Sequence, residues 1–217
     1  MNKVNYHNHI VVEGPIGVGK TSLARRLAAS LGSELVLEQA NENPFLERFY
    51  QDRKSAALPT QLYFLFQRAR QLKNLRQGDM FQPAHITDFL MEKDRLFARL
   101  TLDNDEYQLY EQVYAQLTVD VPVPDLVVYL QAPIDVLRAR IASRGIVYEQ
   151  YMDTDYLQQL VDAYARFFHQ YDMAPLLIVN AAGIDLVSND QDYEMLYRQV
   201  TNIKSGRHYF NPLPGPF

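Results

Sequence analysis

Glycine, lysine and a hydroxyl side chain stand in this chain at a spacing that suits phosphate: Gly14, four residues (Pro15, Ile16, Gly17, Val18), then Gly19-Lys20-Thr21 and Ser22. Glycines let the backbone turn successive N–H groups inward, making a nest that phosphate oxygens can occupy. A helix beginning near Lys20 aims its positive end at the same anion. In such a loop the lysine reaches the terminal phosphates and the Thr21 hydroxyl ligates Mg²⁺. The apolar run Ile10-Val11-Val12 comes before the loop and a helical pattern over residues 22–28 follows. That strand–loop–helix context separates a triphosphate cradle from an ordinary Gly-rich turn.

Two carboxylates, Glu38 and Asp88, each end a later apolar run. A third, Glu13, precedes the loop and is read as satisfying local backbone. Gln61, Phe64 and Arg68 are spaced i, i+3 and i+7 and share one helix face. The aromatic between the two polar residues suggests that this face is partly enclosed. Arg140 and Arg144 lie i, i+4 at the end of another predicted helix, which Gly145 stops.

The elements that must position these groups alternate. Apolar runs at 9–13, 34–38, 84–88, 126–131 and 176–180 read as five buried strands. Helical periodicity fills 20–31, 44–52, 60–76, 94–101, 104–119, 134–143, 154–171 and 190–201. This pattern predicts an α/β fold, a parallel five-stranded sheet with helices on both faces. In such sheets ligands sit beyond the carboxyl ends of the strands, where Glu13, Glu38, Asp88, Gln131 and Asn180 all fall.

Composition narrows the function classes. A length of 217 residues suits one domain with a sizeable core. A net charge of −5 argues against a nucleic-acid surface, which needs a basic face. The absence of cysteine excludes disulfides, thiolate metal sites and thiol chemistry. Residues 1–7 lack the apolar core of a signal peptide, and no apolar run is long enough to span a bilayer. The expectation is a soluble cytoplasmic protein with no membrane partner. The five histidines show no metal spacing.

Taken in order, these residues resemble the deoxynucleoside kinase family, in particular its bacterial deoxyadenosine and deoxyguanosine kinases. The loop version Glu13-Gly14-Pro15-Ile16-Gly17-Val18-Gly19-Lys20-Thr21 is typical of that family. The resemblance continues through Glu38, Asn43-Pro44-Phe45-Leu46, Tyr50, Gln61, Arg68, Asp88, residues 92–98, and Arg140 to Arg144 with Glu149. It spans roughly residues 10–180 of a single domain, with a lid at about 140–152 and a C-terminal tail at about 205–217. One departure stands out. Many members carry Asp/Glu-Arg-Ser after the third strand, where this chain reads Asp88-Phe89-Leu90. The arginine's contacts must then come from elsewhere or be absent.

The resemblance implies transfer of the γ-phosphoryl of ATP to the 5′-hydroxyl of a 2′-deoxynucleoside in nucleotide salvage. It casts Lys20 and the loop amides as donor holders, Thr21 and Asp88 as the Mg²⁺ site, and Glu38 as the acceptor of the hydroxyl proton. Arg140 and Arg144 would close over the transferring group. Tyr50 and Glu149 would bind the 3′-hydroxyl. Gln61, Arg68 and Asp94 would read the base edge, Asp94 being preferred over Lys93 because a carboxylate can pair with Arg68. Phe64 or Phe97 would stack on the ring. The Arg–Asp pair suggests a purine or cytosine rather than thymine, with deoxyadenosine or deoxyguanosine the expected substrate, and family members commonly pair as homodimers through the helices at 60–76 and 104–119. A thymidylate-kinase-like monophosphate kinase fits less well, because Phe89 stands where that chemistry needs an arginine and Glu38 would repel an acceptor phosphate. A non-catalytic nucleotide switch leaves the lid arginines and the polar–aromatic pocket unexplained.

Overall fold

The computed structural model describes residues 7–76, 84–118, 121–186 and 188–212. The segment 1–6 from the signal-peptide reading, Val119 at the expected end of a helix, and tail residues 213–217 lie outside the described residues.

Among the described residues, six strands form one parallel sheet. They are β1 (His9–Glu13), β2 (Glu34–Val36), β3 (His85–Thr87), β4 (Leu126–Gln131), β5 (Leu176–Asn180) and β6 (Arg207–Phe210), in the order β2-β3-β1-β4-β5-β6. The expected count of five is corrected by β6, which pairs with β5 from Leu176↔Arg207 to Val179↔Phe210. This strand escaped the apolar-run criterion because it lies on an edge. Its Arg-His-Tyr-Phe sequence is part exposed, with no continuous buried face. The central strands β1 and β4 are buried on both sides, hence their unbroken Ile/Val/Leu runs.

The helices are α1 (Lys20–Leu31), α2 (Leu46–Gln51), α3 (Arg53–Arg76), α4 (Lys93–Thr101), α5 (Asn104–Leu117), α6 (Ile134–Arg144), α7 (Thr154–Gln170) and α8 (Asp190–Asn202). The helix expected over 60–76 begins earlier, running through Pro59 from Arg53. Ala56 and Ala57 are buried in an apolar cluster with Leu46 and Phe49 of α2, and that packing carries the extra turns. Helix α5 begins with a reciprocal capping box between Asp103 and Glu106. Gly145 ends α6 in the left-handed conformation, as expected.

The main core lies between the sheet and its helices, built around Ile10, Val12, Leu23, Leu27, Val128 and Leu160. A second cluster joins α3, the loop after β3, α4 and α5 through Leu65, Leu72, Phe89, Met91, Ala98 and Tyr110. Together they hold the carboxyl ends of β1 and β3 and the start of α1 in fixed relation.

Candidate active site at the carboxyl edge of the sheet

The loop between β1 and α1 folds as its glycines require. Gly14 has φ 150°, and a Cβ there would meet the Leu130 carbonyl oxygen at 2.3 Å. Gly19 caps α1 at φ 105° with no side-chain partner, leaving the first N–H groups of the helix to an anion. The Lys20 ammonium donates to the carbonyls of Gly14 (2.7 Å) and Pro15 (3.2 Å). Burial, and then the charge of Lys93, lower Lys20 to about 8.

Glu13 is a structural hub. Its carboxylate, fully buried, accepts from Gly14 N–H (2.8 Å), Leu90 N–H (2.8 Å) and the Tyr164 hydroxyl (3.0 Å). The local-backbone reading of Glu13 thus holds, and extends to the loop after β3. Asp88 follows β3 and bridges two elements. One oxygen accepts from Thr21 Oγ1 at 2.5 Å, and the other from the backbone N–H of Glu38 at 2.7 Å. Glu38 itself stands two residues past the end of β2. A single side chain therefore separates the hydroxyl at the mouth of the phosphate loop from Glu38.

The Glu38 carboxylate is ringed by cations. Arg68 Nε donates to it at 2.7 Å, with a second, shorter bond from Nη2, and Lys93 Nζ lies 3.3 Å from Oε1. Burial alone would raise this carboxyl; Arg68 first, then Lys93 and Lys20, hold it at about 2. On its other side, Arg68 Nη1 lies 2.6 Å from Asp94 Oδ2, an ion pair by distance that is not aligned as a hydrogen bond. Burial pushes Asp94 upward against the pull of Arg68.

These groups open onto one cleft of roughly 890 Å³. Ile16 to Ser22 line it, as do Glu38, Tyr50, Gln61, Phe64, Arg68, Asp88, Phe97, Arg140, Arg144 and Glu149. Three predicted residues do not. Gly14 and Pro15 contribute carbonyls to Lys20 rather than cleft wall. Asp94, expected at the base edge, lies wholly buried behind Arg68, so it acts on the cleft only through that guanidinium. Lys93, the alternative set aside, is the residue that lines it. The cause is helical geometry: Lys93 and Asp94 are adjacent at the start of α4, about 100° apart around its axis, so one faces the cleft and the other the core.

Sequence reasoning also missed Tyr148, Tyr156 and Tyr164, which line the cleft from beyond the sheet. Tyr148 stacks on Tyr50 at 5.6 Å, and its hydroxyl donates to Asn41. No local spacing marks them, since each reaches the cleft only through the packing of α7 and of the short turn 147–151. Arg140 donates to the carbonyls of Val18 (3.2 Å) and Ala181 (2.8 Å). Arg144 Nη2 meets both oxygens of Glu149 at 2.5 Å. Gln61 Nε2 donates to Thr101 Oγ1 at 3.3 Å. Ala181, Ile184, Asp185 and Leu186, from the segment after β5, also line the cleft.

The family model for deoxynucleoside kinases matches residues 10–205. The chain belongs to the deoxynucleoside kinase family. The kinase is 33% identical over 203 residues to a deoxyguanosine kinase of Bacillus subtilis, covering 89% of this chain and 96% of the relative. It is 29% identical over 205 residues to a deoxyadenosine kinase of Lactobacillus acidophilus, covering 88% of this chain and 94% of the relative. A solved deoxyadenosine kinase from M. mycoides with bound dCTP superimposes with a TM-score of 0.78 at 27% identity, over 90% of this chain and 100% of that one. Among the described residues, no helix is long and apolar enough to cross a membrane.

Proposed function

We propose that this kinase transfers the γ-phosphoryl group of ATP to the 5′-hydroxyl of a purine 2′-deoxynucleoside, deoxyadenosine or deoxyguanosine, in cytoplasmic salvage. The observation that supports the reading is that the phosphate loop and Glu38 line one cleft, with Asp88 accepting from Thr21 Oγ1 and from the Glu38 backbone N–H. The names of the relatives support the purine preference.

Such transfer is mostly positioning and charge stabilisation. Lys20 would leave its loop carbonyls for the terminal phosphates as Gly14 to Ser22 cradle them. Thr21 Oγ1 and Asp88 Oδ2, two hard oxygens 2.5 Å apart, fit an Mg²⁺ site completed by water and phosphate. The ion would neutralise charge between phosphate oxygens. Glu38 would orient the 5′-hydroxyl and accept its proton. Arg140 and Arg144, on a lid formed by the end of α6 and the turn after it, would turn from their present partners to the transferring group. Tyr50 and Glu149 would bind the 3′-hydroxyl, and Gln61 and Arg68, backed by Asp94, the base. Phe64 and Phe97 would flank the ring.

Pairing as a homodimer through α3 and α5 is part of the proposal. Leu72, Tyr110 and Tyr114 belong to the chain's own core, but Phe66 is 53% exposed beside an apolar groove of roughly 530 Å³ that Ala69, Leu117 and Val121 line.

Incubation with labelled ATP, Mg²⁺ and a panel of deoxynucleosides and deoxynucleoside monophosphates tests the function. Monophosphates formed from deoxyadenosine or deoxyguanosine are the expected products. Diphosphates formed from the monophosphates, with no labelled product from nucleosides, would overturn it.

A further inference from the structure

Lys93 has no place in the chemistry just described, although few charged groups in the chain are so committed. It rises from the first turn of α4 with its side chain 3% exposed, and lines the cleft. Its ammonium lies 3.3 Å and 3.4 Å from the two oxygens of Glu38, and 3.6 Å from Glu13 Oε2. The two carboxylates differ in freedom. Glu13 is pinned by three hydrogen bonds from β1's own loop, the turn after β3 and α7. The carboxylate of Glu38 is held by Arg68 and Lys93 alone among the contacts observed.

Arg68 is called on twice. It donates two hydrogen bonds to Glu38, yet in the proposed function it also reads the base. A base seated on that guanidinium competes with Glu38 for its donors, because the planar fork has a fixed set of directions. Lys93, a point charge on a flexible stem anchored by Glu13, faces no such competition. Phe89 cannot help. It is wholly buried in the apolar cluster with Leu65, Met91 and Tyr110, so its backbone position directs a side chain away from the cleft.

We propose that Lys93 is the positioning residue for Glu38: braced on Glu13, its ammonium keeps the Glu38 carboxylate on the acceptor hydroxyl once the deoxynucleoside engages Arg68. The surrounding charges agree. Glu13 from β1, Glu38 after β2, Asp88 after β3 and Asp94 from α4 face Lys20 from α1, Arg68 from α3 and Lys93 itself, with the Tyr164 hydroxyl of α7 beside Glu13. Without Lys93, those four carboxylates would have only Lys20 and Arg68 of this cluster to offset them. Glu13 would keep its three hydrogen bonds, so the fold survives the change.

The inference rests on the proposed function, and the experiment keeps the two apart. Steady-state kinetics with deoxyadenosine and deoxyguanosine are compared for the wild-type chain, K93M, K93Q and K93R, with thermal melting alongside. K93M and K93Q are expected to lose about 10²-fold in kcat while the deoxynucleoside KM stays within about threefold, and K93R to recover most of the loss. A K93M enzyme with kcat within about threefold of wild type, a loss confined to KM, or a K93R no better than K93M would each overturn it. If K93M fails to fold, K93Q and K93R, whose head groups stay polar, carry the same comparison. A wild-type chain inactive on every deoxynucleoside sinks the functional reading and this inference with it. An active wild type beside an unimpaired variant sinks this inference alone.

Discussion

Replacing Arg68 with Met tests the buried charge cluster most directly. Arg68 is 4% exposed and stands between Asp94, with a side chain 0% exposed, and Glu38, 18% exposed. Glu38 retains Lys93 and an opening to solvent when the guanidinium goes. Among the described residues, Asp94 has no hydrogen bond to either oxygen and loses its only ion-pair partner within 4 Å. Orphaning a buried charge in this way costs about 3–5 kcal/mol. In a chain of this length each kcal/mol lowers Tm by about 2–4 °C, so R68M should melt roughly 6–20 °C below wild type. Removing the stranded carboxylate as well should reverse much of the damage. R68M/D94N is expected to recover about half or more of the lost stability, because the double variant leaves no unpaired carboxylate at position 94. Differential scanning calorimetry or urea unfolding of the four proteins in a cycle reads this. Were R68M to cost under about 1 kcal/mol, or the double variant to be no more stable than R68M, the cluster would not be held by this pair.

Three further outcomes follow from the same geometry. Glu38→Gln should lower kcat by about 10²–10⁴-fold with the deoxynucleoside Kd little changed, measured by coupled kinetics and calorimetric titration; near-normal turnover would remove Glu38 as proton acceptor. Glu149→Gln should weaken discrimination against 3′-deoxy analogues by about tenfold or more in kcat/KM, since the site would no longer leave an unpaired carboxylate when the hydroxyl is missing; an unchanged ratio places 3′-recognition elsewhere. Burial first, then His85, lower His9 from 6.5 to about 4 against the pull of Asp125. Folded His9 thus takes up a proton less readily than unfolded His9, so its contribution is complete above pH 6.5 and is lost as pH falls towards 4. The loss amounts to about 3 kcal/mol. Unfolding in urea between pH 7.5 and 4.5 should show a shallower decline for His9→Gln than for wild type, and parallel declines would refute the assignment.

The phosphate loop was legible in the sequence because its chemistry is local. Nest, lysine and hydroxyl sit within nine residues, and Gly14 and Gly19 adopt the backbone that only glycine takes easily. Central strands and most helices were equally legible, since burial on both faces writes a continuous apolar run and burial on one face a 3.6-residue period. The edge strand β6 was not, because an edge leaves neither mark. The resemblance to known kinases brought Glu38, Asp88, Tyr50, Arg144 and Glu149 into one list, and folding set them around one cleft.

What the chain alone fixed was therefore which residues carry chemistry and which segments carry the sheet. Tertiary structure decided how they are wired. Only packing could show that Asp88 ties Thr21 to Glu38, that Glu13 anchors the loop to α7, and that Lys93 rather than Asp94 enters the cleft. The reason is rotational. Two neighbours at the start of one helix differ by about 100° in direction, and their one-dimensional order is silent on which of them faces the core until α3 and α4 have docked.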